Sequence, residues 1–211
     1  CSTICSHRPM LRAILFDLDN TLLENDMRRF LPRYFGALTA HTRMLPNSDR
    51  LLDALLRATR IVVDSEHPDQ TNEQIILGHL ERVLEIDRAQ MLPRFEAFYR
   101  EAFPALADVT RARPIVPHLI ARSFARAGQV VIATNPLFPR TAIEQRLQWA
   151  GVPVDDYPYA LVTTYEIMRS AKPSAAYYRE ICAWIAVEPA DCLMVGDDWD
   201  NDIAPAAALG M

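Results

Sequence analysis

LRAILFDLDNTLLEND, residues 11–26, begins as an apolar run and stops at a carboxylate. Leu11, Ala13, Ile14, Leu15 and Phe16 spell a short strand without polar alternation, the pattern of a strand buried on both faces of a parallel sheet. Asp17 and Asp19 follow at its carboxyl end, where open α/β sheets place their ligands. Side chains at i and i+2 of an extended chain point the same way, so the two carboxylates are expected to face one small volume, with Asn20 and Thr21 turning the chain. Two like charges so placed either bind a cation or divide into one ionised and one protonated group. Read alone, the segment is also a polar loop after a strand, with Asn20 and Thr21 supplying turn and capping chemistry.

The second half of the chain repeats the strand signal. Residues 115–127 read as a helix closed by Gly128, and QVVIAT, 129–134, as a buried strand ending at Thr134 and Asn135. A helix over 138–150 ends at Gly151, and YALVTT, 159–164, is a third strand. Lys172 and Pro173 precede a helix over 174–187, and CLMV, 192–195, is a fourth strand that runs into GDDWDND. A last helix is expected over about 201–209. Strands alternating with helices of this length predict an α/β fold with a doubly wound, Rossmann-like parallel sheet.

Between these halves the period changes. Residues 27–43, 47–63, 71–85 and 87–102 carry apolar residues at three-and-four spacing, so 26–111 reads as helices only. Asn47 or Ser48 is a candidate N-cap, Thr71 with Gln74 a capping box, and Pro32 and Pro93 first-turn or kink positions. The expected organisation is a discontinuous α/β core, 10–24 and 112–211, with an all-helical cap, 25–111, inserted after the first strand. Residues 1–9 are expected to be a disordered tail, with Met10 the natural start, and a further edge strand is expected to follow Met211.

The chain has 211 residues, half of them hydrophobic, enough for a sizeable core. A net charge of −5 argues against a general nucleic-acid or acidic-membrane binder. No apolar run reaches the ~18 residues of a spanning helix, and the first nine residues lack the apolar centre of a signal peptide. Of the four cysteines, Cys182 and Cys192 read as small buried hydrophobes. Cys1 and Cys5, with His7, form an isolated set for which no metal is expected. A reduced cytoplasmic protein is the expectation. Of the 22 basic residues only Lys172 is lysine. A surface ammonium is replaceable by arginine, so a single lysine marks a position to watch.

Placed on the sheet, the polar residues gather at strand ends. Strand one delivers Asp17 and Asp19, strand two Thr134 and Asn135, and the last strand Asp197, Asp198, Asp200 and Asp202, with Lys172 in a loop before a helix. Strand-end crevices make these neighbours. So many carboxylates against one ammonium call for a hard divalent cation with oxygen ligands, Mg²⁺ first, and no Cys/His cluster at the strand ends suggests zinc.

FDLDNTL, IATN, AKP and VGDDWDND, in this order and with a large helical insert after the first, resemble the haloacid dehalogenase superfamily. The subgroup is the one with a helical cap between the first and second motifs, which includes phosphoglycolate phosphatase-like proteins. The resemblance covers nearly the whole chain after Met10 and implies roles. Asp17 would be the nucleophile that forms an aspartyl-phosphate. Asp19 would protonate the leaving oxygen and then deprotonate water, which asks for a pKa well above the ~3.9 of a free aspartate. Thr134 would donate its hydroxyl to the phosphoryl group beside backbone amides near Asn135, and Lys172 would pair with nucleophile and substrate. Mg²⁺ would take Asp17, the backbone carbonyl of Asp19 and Asp197.

Other residues rank behind these. Asp198 stands at a small polar position, and Asp202 is either a first-turn helix charge or a support for the site. Asp200 is expected at the surface. Arg28, Arg29 and Arg33 read as a solvated basic helix face before they read as substrate contacts. Members without a carboxylate at the position of Asp19 are dehalogenases and phosphonate-cleaving enzymes, so Asp19 points to phosphoryl transfer. The expected function is a Mg²⁺-dependent phosphatase acting on a small phosphorylated metabolite, with the cap selecting it. A phosphomutase, a phosphoacceptor domain and a non-catalytic binding protein are the alternatives, and the sequence sets no oligomeric state.

Overall fold

The computed structural model describes residues 11–64 and 68–211. The expectations for residues 1–9, for Met10 and for Cys1, Cys5 and His7 lie outside the described residues. The chain opens with β1 (Ala13–Phe16) and β2 (Leu23–Asn25), then four helices, α1 (Met27–Thr42), α2 (Leu51–Asp64), α3 (Asn72–Leu84) and α4 (Arg88–Glu101). After β3 (Thr110–Ala112) come α5 (Val116–Arg126), β4 (Gln129–Ile132), α6 (Arg140–Trp149) and β5 (Leu161–Val162). The last elements are α7 (Ala175–Ile185), β6 (Cys192–Val195) and α8 (Ala204–Ala208).

All four residues of β1 are buried, because both faces of the sheet are covered. Ala13, Leu15, Val131 and Met194 pack with Tyr178 and Ile181 of α7 on one side. Ile14, Phe16 and Ile132 pack with Ile120 of α5 and Ile143 and Leu147 of α6 on the other. The strand order is β5-β4-β1-β6, every pairing parallel, with Phe16 opposite Ile132 and Val195. This register sets the ends of β1, β4 and β6 level, so the residues just beyond them share one rim.

The inserted helices bury their apolar faces in one cluster, which Ala142 and Ala171 join. Phe30, Tyr34 and Leu38 of α1, Leu77 and Leu80 of α3 and Phe98 of α4 are buried together, the three-and-four spacing that the sequence displays. Thr71 caps α3 in a full capping box with Gln74. Asn47 instead takes a left-handed conformation and donates from its side chain to the Leu84 carbonyl at the end of α3. Pro32 and Pro93 lie inside α1 and α4. The helices continue past them because burial of Tyr34 and Phe98 downstream outweighs one missing backbone hydrogen bond.

Residues 26–111 are not helices only. β2 and β3 form an antiparallel ribbon, Leu23 opposite Ala112 and Asn25 opposite Thr110, so β3 lies within the segment expected to be helical. Two three-residue strands are too short to show a period. Turns of 3-10 helix at Ser48–Arg50 and Phe103–Val109 complete the insert. The expected strand over 159–164 shortens to β5. The expected last helix opens with a π-helical turn, Trp199–Ile203, before α8. No described helix is long and apolar enough to cross a membrane.

Candidate active site

The backbone carries the ladder one residue past β1, where the Asp17 amide donates to the Val195 carbonyl at 2.9 Å. This fixes Asp17 in the interior with its carboxylate facing Lys172. Lys172 is buried and donates from Nζ to Asp17 Oδ1 at 2.7 Å and to Asp202 Oδ1 at 2.6 Å. The lone lysine therefore sits where a compact ammonium bridges two carboxylates, a geometry the broader guanidinium fork does not reproduce. Asp202 is buried and also accepts from the Asp198 amide at 3.2 Å. Gly196 makes room for it, since a Cβ there would overlap the Asp202 side chain.

Asp197 joins this pair. Carboxylate oxygens of Asp17, Asp197 and Asp202 lie within 4.8 Å of one another. Asp198 points elsewhere and caps the π-helical turn, with Oδ1 accepting from the Asp200 and Asn201 amides at 2.9 and 3.0 Å. Asp200 is exposed. Burial pushes Asp17 up to about 6 in spite of the opposing Lys172 charge, and the Asp202 charge adds to the rise. Burial, then the Asp202 charge, also raises Asp197, whereas hydrogen bonds from Asn201 lower Asp198.

Thr134 is buried just beyond β4, and its carbonyl is held from two sides. The Thr163 hydroxyl donates to it at 2.7 Å and the Tyr177 hydroxyl at 2.9 Å. Asn135 follows with a buried Oδ1 that has no partner within the protein. Tyr178 donates to the Asn201 carbonyl at 2.5 Å and so ties α7 to the acidic turn. Thr163, Tyr177 and Tyr178 escape sequence reading because they touch the site's backbone rather than the site.

Asp19 borders the same cavity as Asp17. Its Oδ1 accepts from Asn25 Nδ2 at 2.9 Å and its Oδ2 from Arg146 Nη1 at 2.5 Å. Two donors, rather than a second carboxylate, therefore surround the Asp19 side chain. Arg146, from α6, is fully buried, and its guanidinium lies over the Phe138 ring, 4.6 Å from the centroid. Arg28 and Arg33 pair at the surface with Asp26 and Asp108, away from this group, and Arg29 is exposed.

The strand ends border a cavity of about 340 Å³. Asp17, Asp19, Thr134 and Lys172 lie on the core side, and Met27 and Leu31 of α1 cover it from the insert. A family model for haloacid dehalogenase-like hydrolases matches residues 11–210. The chain belongs to this hydrolase family.

The solved structures it resembles are haloacid dehalogenase-like in fold. A predicted phosphoglycolate phosphatase from Haemophilus somnus 129pt is 20% identical with TM-score 0.53, the match covering 95% of this chain and 83% of that one. A 2-haloacid dehalogenase from Pseudomonas syringae pv. tomato DC3000 is 19% identical with TM-score 0.59, covering 96% and 84%. CbbY from Rhodobacter sphaeroides, in complex with xylulose-(1,5)bisphosphate, is 20% identical with TM-score 0.53, also covering 96% and 84%. No curated protein sequence matches the chain. In this haloacid dehalogenase-like hydrolase, the close carboxylates of Asp17 and Asp197 suit a hard divalent cation with oxygen ligands, while Asp202 is engaged by Lys172 and the Asp198 amide.

Proposed function

We propose that the protein is a Mg²⁺-dependent phosphatase that hydrolyses a small phosphomonoester through an aspartyl-phosphate on Asp17. The observation that carries this reading is the bridge of buried Lys172 between Asp17 and Asp202, beside Asp197 and bordering the cavity. Lys172 occupies Oδ1 of Asp17 and leaves Oδ2 for attack. Burial raises the Asp17 pKa to about 6, and the Lys172 charge opposes the rise, as a bound cation would.

In the first step Oδ2 of Asp17 bonds to phosphorus and the bond to the leaving oxygen breaks, with Asp19, which takes up a proton before this step, delivering it to that oxygen. In the second, Asp19 takes a proton from water as the water oxygen bonds to phosphorus, and Asp17 is released with inorganic phosphate. Thr134 and the Asn135 amide would hold phosphoryl oxygens, while Lys172 offsets the charge that builds on them. Asp17, Asp197 and the Asp19 carbonyl would hold Mg²⁺, which supplies Lewis acidity and a template for in-line attack. Asp202 would hold Lys172 in position.

A carboxylate at position 19 supports ester hydrolysis over dehalogenation, because an alkoxide needs a proton on departure and a halide does not. Phosphate release from a panel of phosphomonoesters, with Mg²⁺ and with EDTA, tests the reading. Release that needs Mg²⁺ and is lost in Asp17→Asn is expected. No release from any ester by the folded wild type would overturn it.

A further inference from the structure

Among the described residues Arg146 is the only buried arginine, and its side chain is wholly inaccessible. Asp19, the carboxylate it pairs with, keeps 19% of its side chain exposed and borders the cavity. A molecule in the cavity therefore meets this cation only through Asp19. Proton transfer asks more of Asp19 than its presence. The carboxyl must stand in line with the leaving oxygen, and a free aspartate side chain turns about both χ1 and χ2.

We propose that Arg146 is a positioning residue, which fixes the Asp19 carboxyl for proton transfer to the leaving oxygen from a place the substrate never touches. The assignment rests on the phosphatase reading above. The guanidinium is itself a rigid support. Helix α6 buries Arg146 together with Ala142, Ile143 and Leu147. Its Nε donates to the Ala142 carbonyl at 3.4 Å, and the group lies over the Phe138 ring, 4.6 Å from the centroid. From there Nη1 reaches Asp19 Oδ2 at 2.5 Å. Asn25 of β2, fully buried, donates from Nδ2 to Asp19 Oδ1 at 2.9 Å, and its own amide donates to Asn20 Oδ1 at 3.1 Å. One donor from a core helix and one from β2 thus set both torsions of Asp19.

Held in this way, the carboxyl can still work. A carboxylate has about four lone-pair sites, and the two donors take one on each oxygen. The rest stay open to the proton in transit. As the bond from phosphorus to the bridging oxygen breaks, the proton passes from Asp19 to that oxygen. The carboxylate left behind then stands against a cation that answers its new charge. In the second step the same carboxylate takes a proton from water. Arginine suits this support better than lysine, because it keeps its own proton even in an interior and does not compete for the one being moved.

The test compares two leaving groups, with Mg²⁺ present. Acetate departs from acetyl phosphate without a proton, whereas an alkoxide needs one to leave an alkyl phosphate. The ratio kcat/KM reports the first bond-breaking step, and kcat also contains hydrolysis of the aspartyl-phosphate. Arg146→Met is expected to lower kcat/KM roughly 100-fold for the alkyl phosphate that wild type hydrolyses fastest, the worth of a misplaced acid. For acetyl phosphate kcat/KM is expected to fall less than about 5-fold, with kcat and KM decreasing together as the second step slows. In an Asp19→Asn background the same substitution is expected to cost the alkyl ester nothing further, since Arg146 acts through Asp19 alone. Equal losses for the two esters, or a further loss of the same size beside Asp19→Asn, would overturn the assignment and leave the phosphatase reading standing. Arg146→Lys keeps a buried cation and carries the test if the Met variant does not fold. The same skew at roughly 10-fold is then expected, and an unchanged ratio between the esters overturns the assignment. Wild type that releases phosphate from no ester removes both readings together.

Discussion

Gly196 and Asp202 stand so close that a Cβ on Gly196 would overlap the carboxylate, Cγ and Cβ of Asp202. The close approach lets the Asp202 side chain turn back beneath β6 and meet Lys172. Gly196→Ala is expected to push that carboxylate away and to cost about 1–3 kcal/mol through overpacking. Phosphate release should fall by roughly two orders of magnitude, since the Lys172 position shifts with it. Thermal melts and steady-state rates on the purified variant check both effects.

Lys172 holds two buried carboxylates at once. Lys172→Met removes the cation and leaves Asp17 and Asp202 facing each other, at an expected cost of about 3–5 kcal/mol. Lys172→Arg is expected to recover little, because the larger planar head does not fit between them. Urea unfolding of the three proteins, with Mg²⁺ absent, would show the order wild type, then Arg, then Met. A Met variant as stable as wild type would contradict this account.

Asn72 fastens the insert to the core. At the first turn of α3 its Nδ2 donates to the Pro136 carbonyl at 3.2 Å and to the Ser170 carbonyl at 3.1 Å, while its amide donates to the Met168 carbonyl. Those carbonyls belong to the loops that present Asn135 and Lys172. Asn72→Ala is expected to lower stability by about 1–3 kcal/mol, as for any buried pair of hydrogen bonds lost together. It should also raise KM, since the covering face of α1 moves with the insert. Denaturant titration and substrate saturation curves separate the two.

Glu73 lies beside Asn72 at the same seam. Burial raises its pKa, and the Glu166 charge across the seam adds to the rise. A carboxyl group raised in the folded state stabilises most when protonated, and that contribution is lost as pH rises through its folded value. Glu73→Gln is therefore expected to melt slightly higher than wild type at pH 7–8 and no higher below about pH 4, where the unfolded carboxyl is also protonated. Melting curves across this range would contradict the seam account if the gain appeared only in acid.

Much of this architecture is visible in the residues themselves. The unbroken run Ala13 to Phe16 announces a strand covered on both faces, and Thr71 with Gln74 announces the start of α3. Asp17, Lys172 and Asp197 are legible because they stand at strand ends or are chemically singular. Arg146 is not, since α6 carries exposed charges such as the Arg140–Glu144 pair and reads as a solvated helix. A signal exists: Arg146 lies four residues after Ala142 and three after Ile143, on the face that the helix buries. The orientation of Asp19 was hidden for the same reason, its partner being distant in sequence. The ribbon of β2 and β3 is too short for any period to form.

That ribbon separates two evolutionary problems. Because Leu23–Asn25 pairs with Thr110–Ala112, the helical excursion leaves the sheet and rejoins it side by side. Closing so long a loop is then an almost fixed cost, growing only slowly with the number of residues it holds. The helices over the cavity can therefore change in length without shifting the strand ends. Selectivity can drift on one side of a two-strand neck while the reacting groups on the other side keep their places.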